Sequence, residues 1–114
     1  MFRWLHDSEK PVYTIHIAAE LLGCHPRTLR IYEQAGLVQP KRSQSRYRLY
    51  SQSDLSRVRK ICALMDELSI NLSGVRALFR AAERFHIEVE RMIDEMLESY
   101  QPLPYNRDEL KGER

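Results

Sequence analysis

Cysteine is nearly absent from this sequence. Its 114 residues hold two, Cys24 and Cys62, too far apart for a CxxC pair. The histidines, His6, His16, His25 and His86, form no cluster with them. A metal-ligand set is therefore not expected, and the two thiols read as reduced and structural, as in a cytosolic compartment. Glycine is also scarce, with four residues and no Gly-rich loop to cradle a phosphate. No nucleophile stands at a recognisable spacing from a base, so an enzyme is not expected, nor a cofactor. No apolar run approaches the ~20 residues of a membrane span. The opening residues 1–7 have no extended apolar region of the signal-peptide kind, so a cytoplasmic location is the default expectation.

What is present is charge, unevenly distributed. Residues 1–82 carry 13 Lys/Arg against 7 Asp/Glu, whereas residues 83–114 carry 5 against 9. A basic body suits a polyanionic partner, which the acidic end would repel. The 43% hydrophobic content is enough for one small core.

The most informative stretch is residues 25–38. Pro26 suits a first helical position, and Gly36 suits the left-handed residue that ends a helix. Leu29 and Tyr32, with Ile31 as a further candidate, give an apolar stripe at helical spacing. Arg27, Thr28 and Arg30 then lie near the leading end, on or beside the opposite face. Such a helix can enter a DNA major groove. Upstream, residues 12–15 read as a short extended segment and His16–Leu22 as a short helix ended by Gly23. Ala19 supplies the small side chain that a close helix crossing favours. Two short helices around a tight Gly-containing turn make a helix-turn-helix, with His25 at the N-cap of the second.

Downstream, residues 41–50 read as a small basic hairpin, a wing, with a turn at residues 43–45. Lys41, Arg42, Arg46 and Arg48, with the phenols of Tyr47 and Tyr50, are suited to hold phosphates. Ser51 or Ser53 caps a helix reaching about Leu68, with Leu55, Val58, Ile61, Cys62, Met65 and Leu68 on its buried stripe. Arg57, Arg59 and Lys60 decorate its other faces. A longer apolar stripe starts after Asn71 or Ser73: Val75, Ala82, Val89 and Met96 at one heptad position, Leu78, Phe85 and Met92 at the other. A bend near residues 84–87 would divide it into helices of about 73–83 and 87–100. The last one has little left inside a small monomer to cover it. It reads as a self-association helix through Phe85, Val89, Met92, Ile93, Met96 and Leu97, the alternative being that it folds back on its own domain.

Residues 12–82 or so also carry a resemblance. Thr14, Ile15, Ala19, Gly23, Thr28, Leu29, Arg30, Tyr32, Glu33, Gly36, Leu37 and Val38, then Arg42, Tyr47, Arg48, Leu49, Tyr50, Ser51, Asp54 and Leu55, resemble in order the MerR family of bacterial transcription regulators. Residues 24–30 and 69–75 are most similar to its heat-shock repressor branch, whose co-repressor is a DnaK-type chaperone. Two departures stand out. Many members have Gly where this chain has Arg46, and many have Tyr where it has Ile31. The short acidic tail lacks the Cys pattern of the metal-sensing members and the room for a drug-binding domain.

The resulting expectation is a mainly α chain, a MerR-like winged helix-turn-helix with a C-terminal dimerisation helix. Its parts are a flexible arm (1–11), a DNA-binding domain (12–82), the dimerisation helix (83–101) and a disordered tail (102–114). Function is expected to be transcription regulation, as a stress-response repressor on an inverted-repeat operator in double-stranded DNA. The DNA contacts would be Arg27, Thr28, Arg30, Tyr32, Lys41, Arg42, Arg46, Tyr47, Arg48 and Tyr50, in a homodimer, with a DnaK-type chaperone as co-repressor. The competing reading is a chaperone-modulating interaction module that uses the same fold without touching DNA.

Overall fold

In the computed structural model, residues 7–44 and 46–101 are described. Trp4 and Leu5 of the expected arm, Ser45 of the expected turn and the expected tail 102–114 lie outside them. The described part of the arm is tied to the body. Ser53 donates its N–H to the carbonyl of Ser8 at 2.9 Å and its hydroxyl to the carboxylate of Glu9.

The elements are β1 (Tyr13–Thr14), α1 (Ile15–Leu22), α2 (Pro26–Gln34), β2 (Lys41–Arg42), β3 (Arg48–Tyr50), α3 (Gln52–Glu67), α4 (Leu72–Arg84) and α5 (Val89–Ser99). Local chemistry sets their limits. The Thr14 hydroxyl accepts from Ile17 N–H to start α1. Gly23, at φ 69°, ends it and bonds back to the carbonyls of Ala19 and Glu20. An L-residue there would bring its Cβ against the following carbonyl. Of the two candidate serines, Ser51 caps α3. Its hydroxyl accepts from Asp54 N–H while the Asp54 carboxylate accepts from Ser51 N–H, a reciprocal capping box. Of the two candidates for α4, Asn71 is the cap, through Gly74 N–H at 2.9 Å.

The three strands form one antiparallel sheet in the order β1-β3-β2, with Tyr13 opposite Tyr50, Lys41 opposite Leu49 and Arg42 opposite Arg48. The wing is thus anchored through β3 to the segment before α1. The core lies between α1, α2, the sheet and α3. Ala18, Ala19, Leu29, Leu37, Val38, Tyr50, Leu55, Val58, Ile61 and Val75 are buried there. Each large side chain removed from water contributes about 1.5–3 kcal/mol before entropy is counted. Ala18 and Ala19 allow α1 to cross its neighbours closely.

The long C-terminal stripe is not one helix. It breaks between α4 and α5, where His86 takes a left-handed φ of 55°. Phe85, an inner heptad position in a continuous helix, is consequently exposed. The chain turns back and α5 docks on α3, so Ile93 is fully buried within a single chain. This corrects the self-association reading for Ile93, which no partner can reach. The expectation that little in the monomer would cover α5 overlooked the outer faces of α3 and α4, and the alternative that the helix folds back on its own domain holds. Arg57 pairs with Glu90 at 2.7 Å and lies over the Phe79 ring, and Lys60 pairs with Asp94 at 3.0 Å. These two α3 cations therefore hold α5.

Candidate nucleic-acid interface

Helix α2 begins as its sequence requires. Pro26 fills the first turn, and Nδ1 of His25 accepts from Arg27 N–H at 3.0 Å. One side of the helix is buried through Leu29 and Tyr32. Arg27, Arg30, Ile31 and Gln34 are all exposed, and their i, i+3, i+4, i+7 spacing makes them one outward face. Thr28 is half-buried on the flank. The residue assigned to the inner stripe as a candidate, Ile31, thus faces outward.

Glu33 lies on the edge of α2 beside the wing. Its carboxylate accepts from Arg42 Nη2 at 3.1 Å and from Arg48 Nε, so a single acid holds β2 and β3 to the helix. Arg42 also donates to the carbonyl of Arg46 at 3.3 Å. The wing arginines are therefore of two kinds. Arg42 and Arg48, expected as phosphate ligands, are engaged by Glu33. Among the described residues, Lys41 and Arg46, like Arg27 and Arg30 on α2, form no ion pair and are exposed. Tyr47 is exposed beside them. Glu33 did not figure among the sequence-derived site residues. The signal available was its isolation as the sole carboxylate between Glu20 and Asp54, amid a run of cations.

Two expected DNA contacts are corrected. Tyr32 is only 7% exposed, and its hydroxyl donates to Met65 Sδ at 3.6 Å and meets Cys62 Sγ at 3.8 Å. Burial first, then the neighbouring Cys62, pushes its phenol up to about 12. Tyr50 is 0% exposed, and among the described residues its hydroxyl has no hydrogen-bond partner. Burial, reinforced by the Glu33 charge, pushes this phenol to about 12 as well. Both rings face the core because the aromatic carbon surface outweighs the single hydroxyl. Neither can reach a phosphate in this conformation. The thiols of Cys24 and Cys62 are free and half-buried, and burial raises the Cys24 thiol above its usual range.

The assembled surface offers α2 and the wing together, with cations on each and a carboxylate between them. Among the described residues, no helix is long and apolar enough to cross a membrane.

Comparison with known proteins agrees with this geometry. The family model described as "MerR HTH family regulatory protein" matches residues 13–82. The "Putative heat shock protein HspR" of Streptomyces coelicolor is 39% identical over 88 residues, covering 77% of this chain and 53% of the relative. The "HTH-type transcriptional regulator ZntR homolog" of Haemophilus influenzae is 36% identical over 80 residues, 67% of this chain and 58% of the relative. The chain thus spans little more than half the length of these two relatives. A MerR-family transcriptional regulator from Bacillus cereus, known from its crystal structure, shares the fold. Its TM-score is 0.51 at 20% identity, over 88% of this chain and 90% of that one.

Proposed function

The chain belongs to the MerR HTH family of regulatory proteins, and from that premise we propose that it binds double-stranded DNA in a sequence-specific manner and represses transcription as a homodimer. The observation that carries the reading is the exposed pair Arg27 and Arg30 at the leading half of α2, with no ion partner among the described residues. An arginine left uncompensated on a groove-sized helix can meet guanine O6 and N7 in bidentate fashion, contributing ~1–3 kcal/mol of discrimination. Lys41, Arg46 and Tyr47 on the wing add phosphate contacts, which give affinity and register but little sequence choice. Arg42 and Arg48 serve mainly to set the wing against α2 through Glu33.

Two copies related by a two-fold axis would read an inverted repeat. The surface left for pairing is the flank of α5 that α3 does not cover. Met92 and Met96 are half-buried there, and Phe85 stands exposed nearby. Val89 and Leu97 are half-buried as well. Similarity to the heat-shock repressor branch extends the proposal to stress-response operators in the cytoplasm, with a DnaK-type chaperone as co-repressor.

The test is selection of bound duplexes from a random pool, followed by gel-shift titration at two salt concentrations. Arg30→Ala should weaken binding to the selected duplex far more than to random DNA. Arg46→Ala should weaken both alike and reduce the salt slope by about 1. Sedimentation should show a dimer. Absence of salt-sensitive binding to any duplex would sink the reading in favour of the interaction module.

A further inference from the structure

The outward face of α2 has an apolar centre. Arg27 and Ile31 are one turn apart on it, flanked by Arg30 and Gln34, and Ile31 is 39% exposed. A lone exposed isoleucine elsewhere on a surface would need no explanation. This one sits on the face with which a groove-binding helix meets base edges, among Arg27, Arg30 and Gln34. Resting as it does on the DNA-binding reading above, the placement restricts the chemistry. Isoleucine neither donates nor accepts a hydrogen bond. Against the donor and acceptor groups of a guanine or cytosine edge it would strip water and return nothing. The one apolar group that the major groove displays is the C5-methyl of thymine.

We infer that Ile31 is a specificity-determining residue that reads a thymine methyl, next to the positions read by Arg27 and Arg30. Its branched chain closes over the methyl and excludes water from both. The resulting preference is for thymine over cytosine and over an unmethylated pyrimidine in the same place.

The inference is tested by a chemical double-mutant cycle on the duplex that the full-length chain selects. Each thymine is replaced in turn by deoxyuridine, which removes the methyl and leaves pairing intact. At one thymine in each half-site, the replacement should weaken wild-type binding about three- to tenfold, the range expected for one buried methyl. Ile31→Ala should weaken binding to the unmodified duplex by a similar factor and be indifferent to that replacement. Because Ile31 is exposed, melting temperature and affinity for random DNA should be unchanged, which separates the effect from misfolding. If every thymine replacement affects wild type and Ile31→Ala equally, the inference is overturned while the DNA-binding reading stands. If the wild-type chain binds no duplex, both are overturned.

Discussion

Glu33 of α2 holds Arg48 of β3, the central strand, and the same carboxylate takes Arg42 from the neighbouring strand. Reader and wing are thereby one rigid part. An acid at this place also withholds two cations from any phosphate. Glu33→Gln should therefore have two opposite effects. Stability should fall by about 1 kcal/mol, a few degrees in Tm, because these pairs are only partly shielded from water. Affinity for random DNA should rise and its salt slope steepen by about 1–2, as the freed arginines turn to phosphates. Thermal melts and gel shifts at two ionic strengths check both effects.

Arg46 holds a left-handed φ of 66° next to the tip of the wing. A side chain with a Cβ pays about 1–2 kcal/mol for that backbone, which glycine adopts freely. Arg46→Gly should raise stability by roughly 1 kcal/mol. It should simultaneously weaken binding to random duplex and lower the salt slope by about 1. A gain in stability with no loss of affinity would remove Arg46 from the interface.

Tyr32 and Tyr50 both ionise near 12, above the ordinary 10, because burial disfavours the phenolate. The folded chain thus keeps protons that the unfolded chain releases. Stability from this source is complete below about pH 10 and drains away as pH rises towards 12. Denaturation between those values should show the decline, and Tyr32→Phe and Tyr50→Phe should each flatten it. At neutral pH Tyr50→Phe should be neutral or slightly stabilising, since it deletes a hydroxyl with no partner among the described residues.

The two sides of α5 should separate in mutation. Ile93→Ala empties a fully buried site and should cost about 2–4 kcal/mol in denaturant titrations. Met92→Lys and Met96→Lys alter half-buried positions and should cost about 1 kcal/mol or less. Their effect should appear in sedimentation, as a shift from dimer towards monomer. Full dimerisation of the double variant would place the contact elsewhere.

Much of the fold was legible in the chain. Pro26, His25 and Gly36 mark the ends of α2, and the helix follows them to within two residues. The Leu29–Tyr32 stripe faces inward as its spacing requires, and Ser51, one of the two serines expected to start α3, caps it with Asp54 in the first turn. The site was only partly legible. Local pattern tells which residues are cationic or aromatic, but not whether a cation already has a partner. Arg42 and Arg48 look like Arg46 in sequence, and they differ only because Glu33 reaches them across nine and fifteen residues. Tyr50 looks like Tyr47, yet it turns inward.

By itself, the sequence determined where α1 ends and where α2 begins and ends, and it narrowed the starts of α3 and α4 to two candidate caps each, because caps, proline and glycine act within a turn or two of their own position. It also determined that the body is basic and the end acidic, which is a matter of counting. Tertiary structure alone decided that the Tyr50 phenol is hidden, which arginines are held, and that α5 lies on α3 with Ile93 sealed beneath it. Those outcomes depend on surfaces meeting across long stretches of chain. A heptad pattern records that a face is apolar but not whether its own domain or another copy covers it.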